Sequence, residues 1–279
     1  MTIKIVTDST CDIPAELVGR HGITVVPAYV NIGTESYLDG VNLSRRTFYE
    51  QLPHYPIYPT TAAPAPDRFA QVYEQLSAEG ATAILSLHVA DSLSSFYNVA
   101  HQGAELAKAV PTTVWDSQQL SMGLGFQVLA AAEAAEAGAT LPEIFAMLVD
   151  LRPRIHIFCL LDTLDAVRRG GRINWLQMSM GNLLKIKPLV HVYEGEVTLL
   201  ERVRTRGRAL PRLVEMVRGL GDLSRIAVLD ANAAEEAQKL AELLQPHLPA
   251  AVAPLFNTAC PAIGVHVGAQ ALAVACVKA

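Results

Sequence analysis

The side chains with most chemistry to offer in this 279-residue chain are hydroxyls and carboxylates that follow short apolar runs. IKIVTDST ends in Asp8-Ser9, and TTVWDSQQ ends in Asp116-Ser117. Thr60 and Thr61 lie in YPTTAAPAP, and Ser92, Ser94 and Ser95 in HVADSLSSF, each ahead of a helical pattern. Hydroxyl donors beside the exposed N–H groups of a helix start suit one small anion, a carboxylate or a phosphate. The same residue types also cap helices and close turns, which accounts for any one of them taken alone. His266, in the apolar stretch AIGVHVG, adds an imidazole that donates from both ring nitrogens when protonated.

Other chemistries lack their signatures. There is no glycine-rich phosphate cradle and no Gly-x-Ser-x-Gly elbow. Asp8 is followed by Thr10, where the haloacid-dehalogenase pattern wants a second Asp. A Ser/His/Asp set drawn from Ser94, His266 and an Asp still leaves a hydrolase or phosphatase open. Cys11, Cys159, Cys260 and Cys276 are far apart, with no Cys-x-x-Cys pair and no His at zinc spacing, so reduced thiols and no metal are expected.

The elements that must carry these residues read as two grammars. Lys4–Thr7, Thr24–Val30, Ala83–Leu87 and Thr112–Trp115 are short, β-branched strands. Helices are expected from Pro66, with Phe69, Val72, Tyr73 and Leu76 on one face, over Phe96–Val110, and over Leu124–Ala137. That alternation implies a mostly parallel α/β sheet, with Asp8-Ser9 and Asp116-Ser117 at the strand ends where such sheets bind ligands. Beyond DLRPR, a strand in RIHIFCLLDTL runs into a helix ending at Gly170-Gly171, and a hairpin turns at Glu194-Gly195. Helices at Arg208–Gly219 and Ala233–Leu244 flank a strand at Arg225–Asp230, and AIGVHVGAQALAVACV reads as a closing pair of strands. The expectation is an α/β domain over 1–152 and an α+β domain over 153–279.

Charged residues make up only 18%, which fits a large core, and the net charge of −5 argues against nucleic-acid binding. The N-terminus reaches Asp8 before any signal-like apolar run, and Glu133, Glu136 and Pro142 break the most apolar later stretch. A cytoplasmic protein without membrane insertion is expected. Against the acidic total, Lys185, Lys187, Arg202, Arg204, Arg206 and Arg208 form a local basic cluster, a solvated face or a docking patch.

VTDSTCDIP, TTAAPAP, LSSFYNVA, WDSQQLSMGLG, LDTLDAVRRGGRIN, LLKIKPLVHVYEGEVTLLERVRT and GVHVG follow one another in this order. Together they resemble the DegV family of bacterial fatty-acid-binding proteins, nearly end to end. The resemblance implies two α/β-type domains with one long-chain fatty acid, such as palmitate, stearate or oleate, buried between them. It implies a non-catalytic carrier that presents the carboxylate to an ATP-dependent fatty acid kinase, with the basic residues Lys187, Arg202, Arg204 and Arg206 docking that partner. Thr61 matches the family's loop threonine, Ser94 its turn serine, His266 the histidine of Gly-x-His, and Arg172 the arginine of Gly-Gly-Arg. These four would meet the carboxylate, supported by Thr60, Ser95, Asp8, Ser9, Asp116 and Ser117. The chain departs from the family pattern at Ala62-Ala63, Ser95-Phe96 and Gly268-Ala269-Gln270. A small-molecule kinase subunit is an alternative, since the fold implied resembles that of dihydroxyacetone kinases. A transcriptional regulator ranks last, because no basic recognition helix is in view.

Overall fold

The computed structural model describes residues 2–171 and 186–279. Its first strand, β1 (Ile3–Asp8), is followed by α1 (Ala15–Arg20) and β2 (Thr24–Val26). Pro27 stands between β2 and β3 (Tyr29–Ile32), and the stretch expected as one strand divides there between two sheets. β3 pairs antiparallel with β4 (Glu35–Leu38) and, after α2 (Arg45–Gln51), with β5 (Thr60–Ala62). The Pro-punctuated segment around Thr61 is therefore a strand of a small third sheet rather than a loop.

The parallel sheet is completed by β6 (Ala83–His88) and β7 (Thr112–Asp116), in the order β2-β1-β6-β7. β6 is buried along its whole length, as a strand covered on both faces must be. The covering helices are α3 (Pro66–Ala78) and α4 (Phe96–Leu106) on one side and α5 (Ser121–Glu136) on the other. Pro66 opens α3 at its first turn, where the missing N–H costs nothing, and Phe69, Ala70, Tyr73 and Leu76 form its buried face. α5 is buried from Ser121 to Ala132 on every side, because it lies between the parallel sheet and the second large sheet.

α6 (Leu141–Leu151), started by a capping box at Thr140 and Glu143, leads into that second sheet. Its strands are β8 (Ile155–Leu160), β9 (Lys187–Tyr193), β10 (Glu196–Val203), β11 (Leu223–Asp230), β12 (Leu255–Thr258) and β13 (Leu272–Lys278), ordered β10-β9-β8-β13-β11-β12. All pairings are antiparallel except β11–β12. Glu194 and Gly195 both take positive φ, 48° and 80°, giving the type I′ turn that joins β9 to β10. α7 (Asp165–Arg169) follows β8, while α8 (Arg206–Arg218) and α9 (Ala234–Leu244) cover the sheet's outer face with Phe158, Leu160, Leu189, Val228, Val274 and Cys276. The inner face joins the core of the parallel sheet, so one apolar cluster runs from Ile5 and Leu85 through α5 to Ile157 and Ala275.

One expected strand is a helix. AIGVHV forms α10 (Pro261–Val267), started by Pro261 and ended at Gly268, whose φ is 75°. Its β-branched residues favour a strand, but Pro at the first turn and tertiary contacts decide otherwise.

On the outer face of β8 and β9 the rings of His156, Phe158, His191 and Tyr193 stack nearly parallel, with His156 Nδ1 3.1 Å from His191 Nε2. Burial, His191 and Lys278 push the His156 imidazole down to about 4 from 6.5. The unfolded chain binds a proton that the folded chain refuses across this window, so the contribution of neutral His156 is complete above 6.5 and lost as pH falls toward 4. A His156→Gln chain is expected to lose less stability than the parent between about pH 7 and about pH 5. Urea unfolding midpoints measure this, and equal losses would place the acid-sensitive group elsewhere.

Candidate functional site

Between the parallel sheet and the inner face of the six-stranded sheet lies a cavity of about 200 Å³. Its walls come from both halves of the chain. Ala28, Val89, Leu93, Phe96 and Leu120 line it from the first half, and Ile157, Val190, Val192, Leu229, Ala271 and Ala273 from the second. Ala271 precedes β13, which then alternates Leu272, Val274 and Cys276 with Ala273 and Ala275. Strand periodicity sends Ala273 to the cavity and Ala275 to the core, while Leu272, Val274 and Cys276 pack under α8 and α9, with Leu272 at the strand's start also reaching the cavity. Small residues on one face of a central strand leave the room. Cys159 belongs to the same wall, and burial pushes its thiol up to about 12, so it acts as a small apolar group.

The polar lining consists of Thr10, Thr61, Ser94, Ser95, Ser121, Asp230 and His266. Two of these hydroxyls already give their protons to buried carboxylates: Thr10 to Asp8 at 2.5 Å and Ser121 to Asp12 at 2.6 Å. Asp230 accepts Ala233 N–H at 2.8 Å and the Thr258 hydroxyl at 3.2 Å. Thr61 Oγ1 lies 2.9 Å from His266 Nε2, a contact between β5 and α10. When Nε2–H donates to Thr61, the threonine keeps its own proton for an anion in the cavity. Ser94 reaches the same cavity from the turn before α4, where its N–H bonds to Ala90 O at 3.1 Å. Hydroxyl donors backed by an imidazole can hold a carboxylate at one wall of an otherwise apolar space.

Gly170 explains part of the Gly-Gly motif. A Cβ at this position would fall inside van der Waals contact of His266 Nδ1, so only glycine lets α7 approach the imidazole. Tyr58 OH donates to Val265 O at 2.8 Å, and the Arg169 guanidinium lies 5.2 Å from the Tyr58 ring centre. Arg172 lies outside the described residues, as does Lys185.

The structure brings Thr61, Ser94, Ser95 and His266 to one cavity, and it leaves the other supporting residues behind it. Asp8 is fully buried and accepts from Thr10 N, Val89 N and His88 Nδ1. Ser9 donates to Asp39 at 2.8 Å and receives Ala28 N–H. Asp116 holds the N–H groups of Gln118 and Asp91, while Ser117 closes a turn with Gln119. Thr60 alternates away from Thr61 along β5 and does not line the cavity. The paired Asp-Ser turns thus shape loops whose neighbours, Thr10 and Val89, touch the cavity.

A Ser/His/Asp chain does exist, at an unexpected place. Asp8 Oδ2 is 2.9 Å from His88 Nδ1, and His88 Nε2 is 2.7 Å from Ser86 Oγ, which also receives the Tyr73 hydroxyl at 2.9 Å. Ser86 and His88 are both 0% exposed and neither lines the cavity, so this chain of bonds braces β6 against β1. The basic cluster also divides. Lys187 pairs with Asp162, and Arg206 bridges Glu236 at 2.8 Å and Asp162 at 3.3 Å, whereas Arg202 and Arg204 are exposed.

A family model described as an uncharacterised protein of the DegV family matches residues 2–279. The chain belongs to the DegV family. A DegV domain-containing protein of Streptomyces coelicolor, SCO2569, is 37% identical over 275 residues, covering 98% of this chain and 97% of that protein. Among solved structures, a DegV family protein from Thermus thermophilus described for its fatty acid binding superposes with a TM-score of 0.91 at 32% identity, over 100% of both chains. DegV of Bacillus subtilis, described as a fatty acid binding protein, does so with a TM-score of 0.89 at 30% identity, again over 100% of both. The mixed α/β architecture is therefore the DegV fold.

Sequence reasoning missed Asp230, which lines the cavity, and Asp12, Asp39 and Arg45, which bond to the chain around the start of α10. Isolated Asp and Arg residues carry no periodic signal; only the alternating alanines of ALAVAC hinted at the cavity face. Among the described residues no group of His, Cys, Asp and Glu could hold a metal ion. No helix among them is long and apolar enough to cross a membrane. Replacing Gly170 by Ala is expected to push the His266 ring from Thr61 and weaken ligand retention while the thermal midpoint stays within a few degrees of the parent. Unchanged retention would show that the ring has room to move aside.

Proposed function

We propose that this DegV protein binds a single long-chain fatty acid, its carboxylate held by Thr61, Ser94 and His266 and its acyl chain in the apolar cavity. The observation that carries this reading is the Thr61–His266 hydrogen bond on the wall of a cavity lined mostly by alanine, valine, leucine and isoleucine. Each buried methylene contributes about 0.8 kcal/mol, so a chain of roughly sixteen carbons supplies on the order of 10 kcal/mol before association costs. The anion needs donors, since an unpaired buried carboxylate costs several kcal/mol. Neutral hydroxyls meet that need more gently than a bidentate arginine clamp, which suits a head group that is handed on.

The chain is a carrier, not an enzyme, and acts in the cytoplasm. An ATP-dependent fatty acid kinase is the proposed recipient and would form the acyl phosphate. The exposed pair Arg202 and Arg204 is the proposed docking surface, with Lys187 and Arg206 holding its base through Asp162 and Glu236.

Mass spectrometry of an organic extract of the denatured protein tests the binding step. A stoichiometric long-chain acid is expected, and Ser94→Ala or His266→Ala should weaken its retention roughly tenfold to a hundredfold, since a hydrogen bond to a charged group contributes about 1.5–3 kcal/mol. An extract free of lipid from a folded parent would remove this reading. For the hand-over, Arg204→Glu is expected to lower kinase-coupled turnover while leaving the bound acid in place; loss of both together would indicate misfolding.

A further inference from the structure

His266 rides on α10, a helix of only seven residues that needs packing to persist. Side chains from the first half of the chain hold its start. Asp12 Oδ1 accepts Cys260 N–H at 2.8 Å, and Asp39 Oδ2 receives Ala262 N–H at 3.4 Å. Asp12 is fully buried, and three more groups address it. Ser121 donates to Oδ2 at 2.6 Å, Asn257 Nδ2 donates to the main-chain oxygen at 2.7 Å, and the Arg45 guanidinium stands 3.4 Å from Oδ1. The Asp12 backbone takes φ 51°, a left-handed conformation that short polar residues tolerate best. Arg45 also donates to Thr258 O, and Tyr49 on the same helix donates to Ala259 O at 3.1 Å. Every residue from Asn257 to Cys260 is thus bound from the opposite half.

Carboxylates at a helix start are favoured by its free N–H groups. Two of them buried together repel, and burial pushes the Asp39 carboxyl up to about 6 against the hydroxyl of Ser9. Arg45 is the cation that both carboxylates feel. His266 lies six positions after Cys260, roughly 9 Å of helix rise at about 1.5 Å per residue. A displacement at the start of so short a helix therefore reaches the imidazole.

We propose that Asp12 and Arg45 are positioning residues for the head-group site: they fix the start of α10 and so set where His266 meets Thr61. This deepens the fatty-acid reading and rests on it for the binding readout, but the placement of the ring can be read without lipid. In the full chain stripped of lipid, the His266 imidazole resonances, assigned by their loss in His266→Gln, are expected to move in Asp12→Asn and in Arg45→Met. Those of His101, out on α4, should stay. With oleate as the probe, dissociation from both folded variants should be at least about tenfold faster. Should these variants fail to fold, Tyr58→Phe, which removes only the bond to Val265 next to His266, is expected to move the same resonances and speed release. Unmoved His266 resonances in a folded variant overturn the proposal, whatever happens to oleate. Moved resonances with unaltered oleate dissociation overturn it too. Moved resonances in a parent that never holds oleate leave the positioning role standing and remove the fatty-acid reading instead.

Discussion

The hydrogen bond between Thr61 and His266 joins residues 205 positions apart, and the rest of the architecture exists around the seam it crosses. Thr61 comes from a three-residue strand that would have no reason to form alone; β3 gives it a partner, and β3 is available because Pro27 diverts the chain out of the parallel sheet. His266 comes from a seven-residue helix seated by Asp12, Arg45 and Tyr49 and approached closely by Gly170. Neither element is autonomous. Each is held by the half of the molecule that carries the other's support, so the site exists only when both halves are folded and in contact.

The polar groups behind the cavity follow from the cost of burying charge. Asp8 and Asp12 are both 0% exposed, and each collects donors until its lone pairs are filled. Those donors include Thr10 and Ser121, hydroxyls that face the cavity wall but whose protons point away from it. The consequence is a wall whose remaining hydroxyl and imidazole groups are those of Thr61, Ser94, Ser95 and His266. The same accounting separates the Asp8–His88–Ser86 chain from catalysis. Its geometry is that of an activated serine, but its serine touches only protein.

The six-stranded sheet divides its labour by face. Its outer side carries Phe158, Leu160, Leu189 and Val274 into contact with α8 and α9, whereas its inner side presents Ala273 to the cavity. A close-packed interior does not leave space by accident, since cores fill to crystal-like density. Here the space is made by placing the smallest side chains on the central strand and letting α5, buried all round, hold the sheets apart.

Much of this was written in the sequence. β-branched runs separated by amphipathic helices determined the parallel half, Glu194-Gly195 determined the hairpin, and the ordered motifs from VTDSTCDIP to GVHVG determined the family and pointed to Thr61, Ser94 and His266. These are local signals, readable because propensity and periodicity act within a few residues. Tertiary structure decided the rest. It made AIGVHV a helix, moved Thr61 from a loop to a strand, and turned the Asp-Ser pairs inward as braces. It also drew Lys187 and Arg206 into ion pairs with Asp162 and Glu236 and gathered Asp12, Asp39 and Arg45 beneath the site. The reason is common to all of them. A buried charge or a short helix is stabilised here by partners more than two hundred residues away, and no window along the chain contains both.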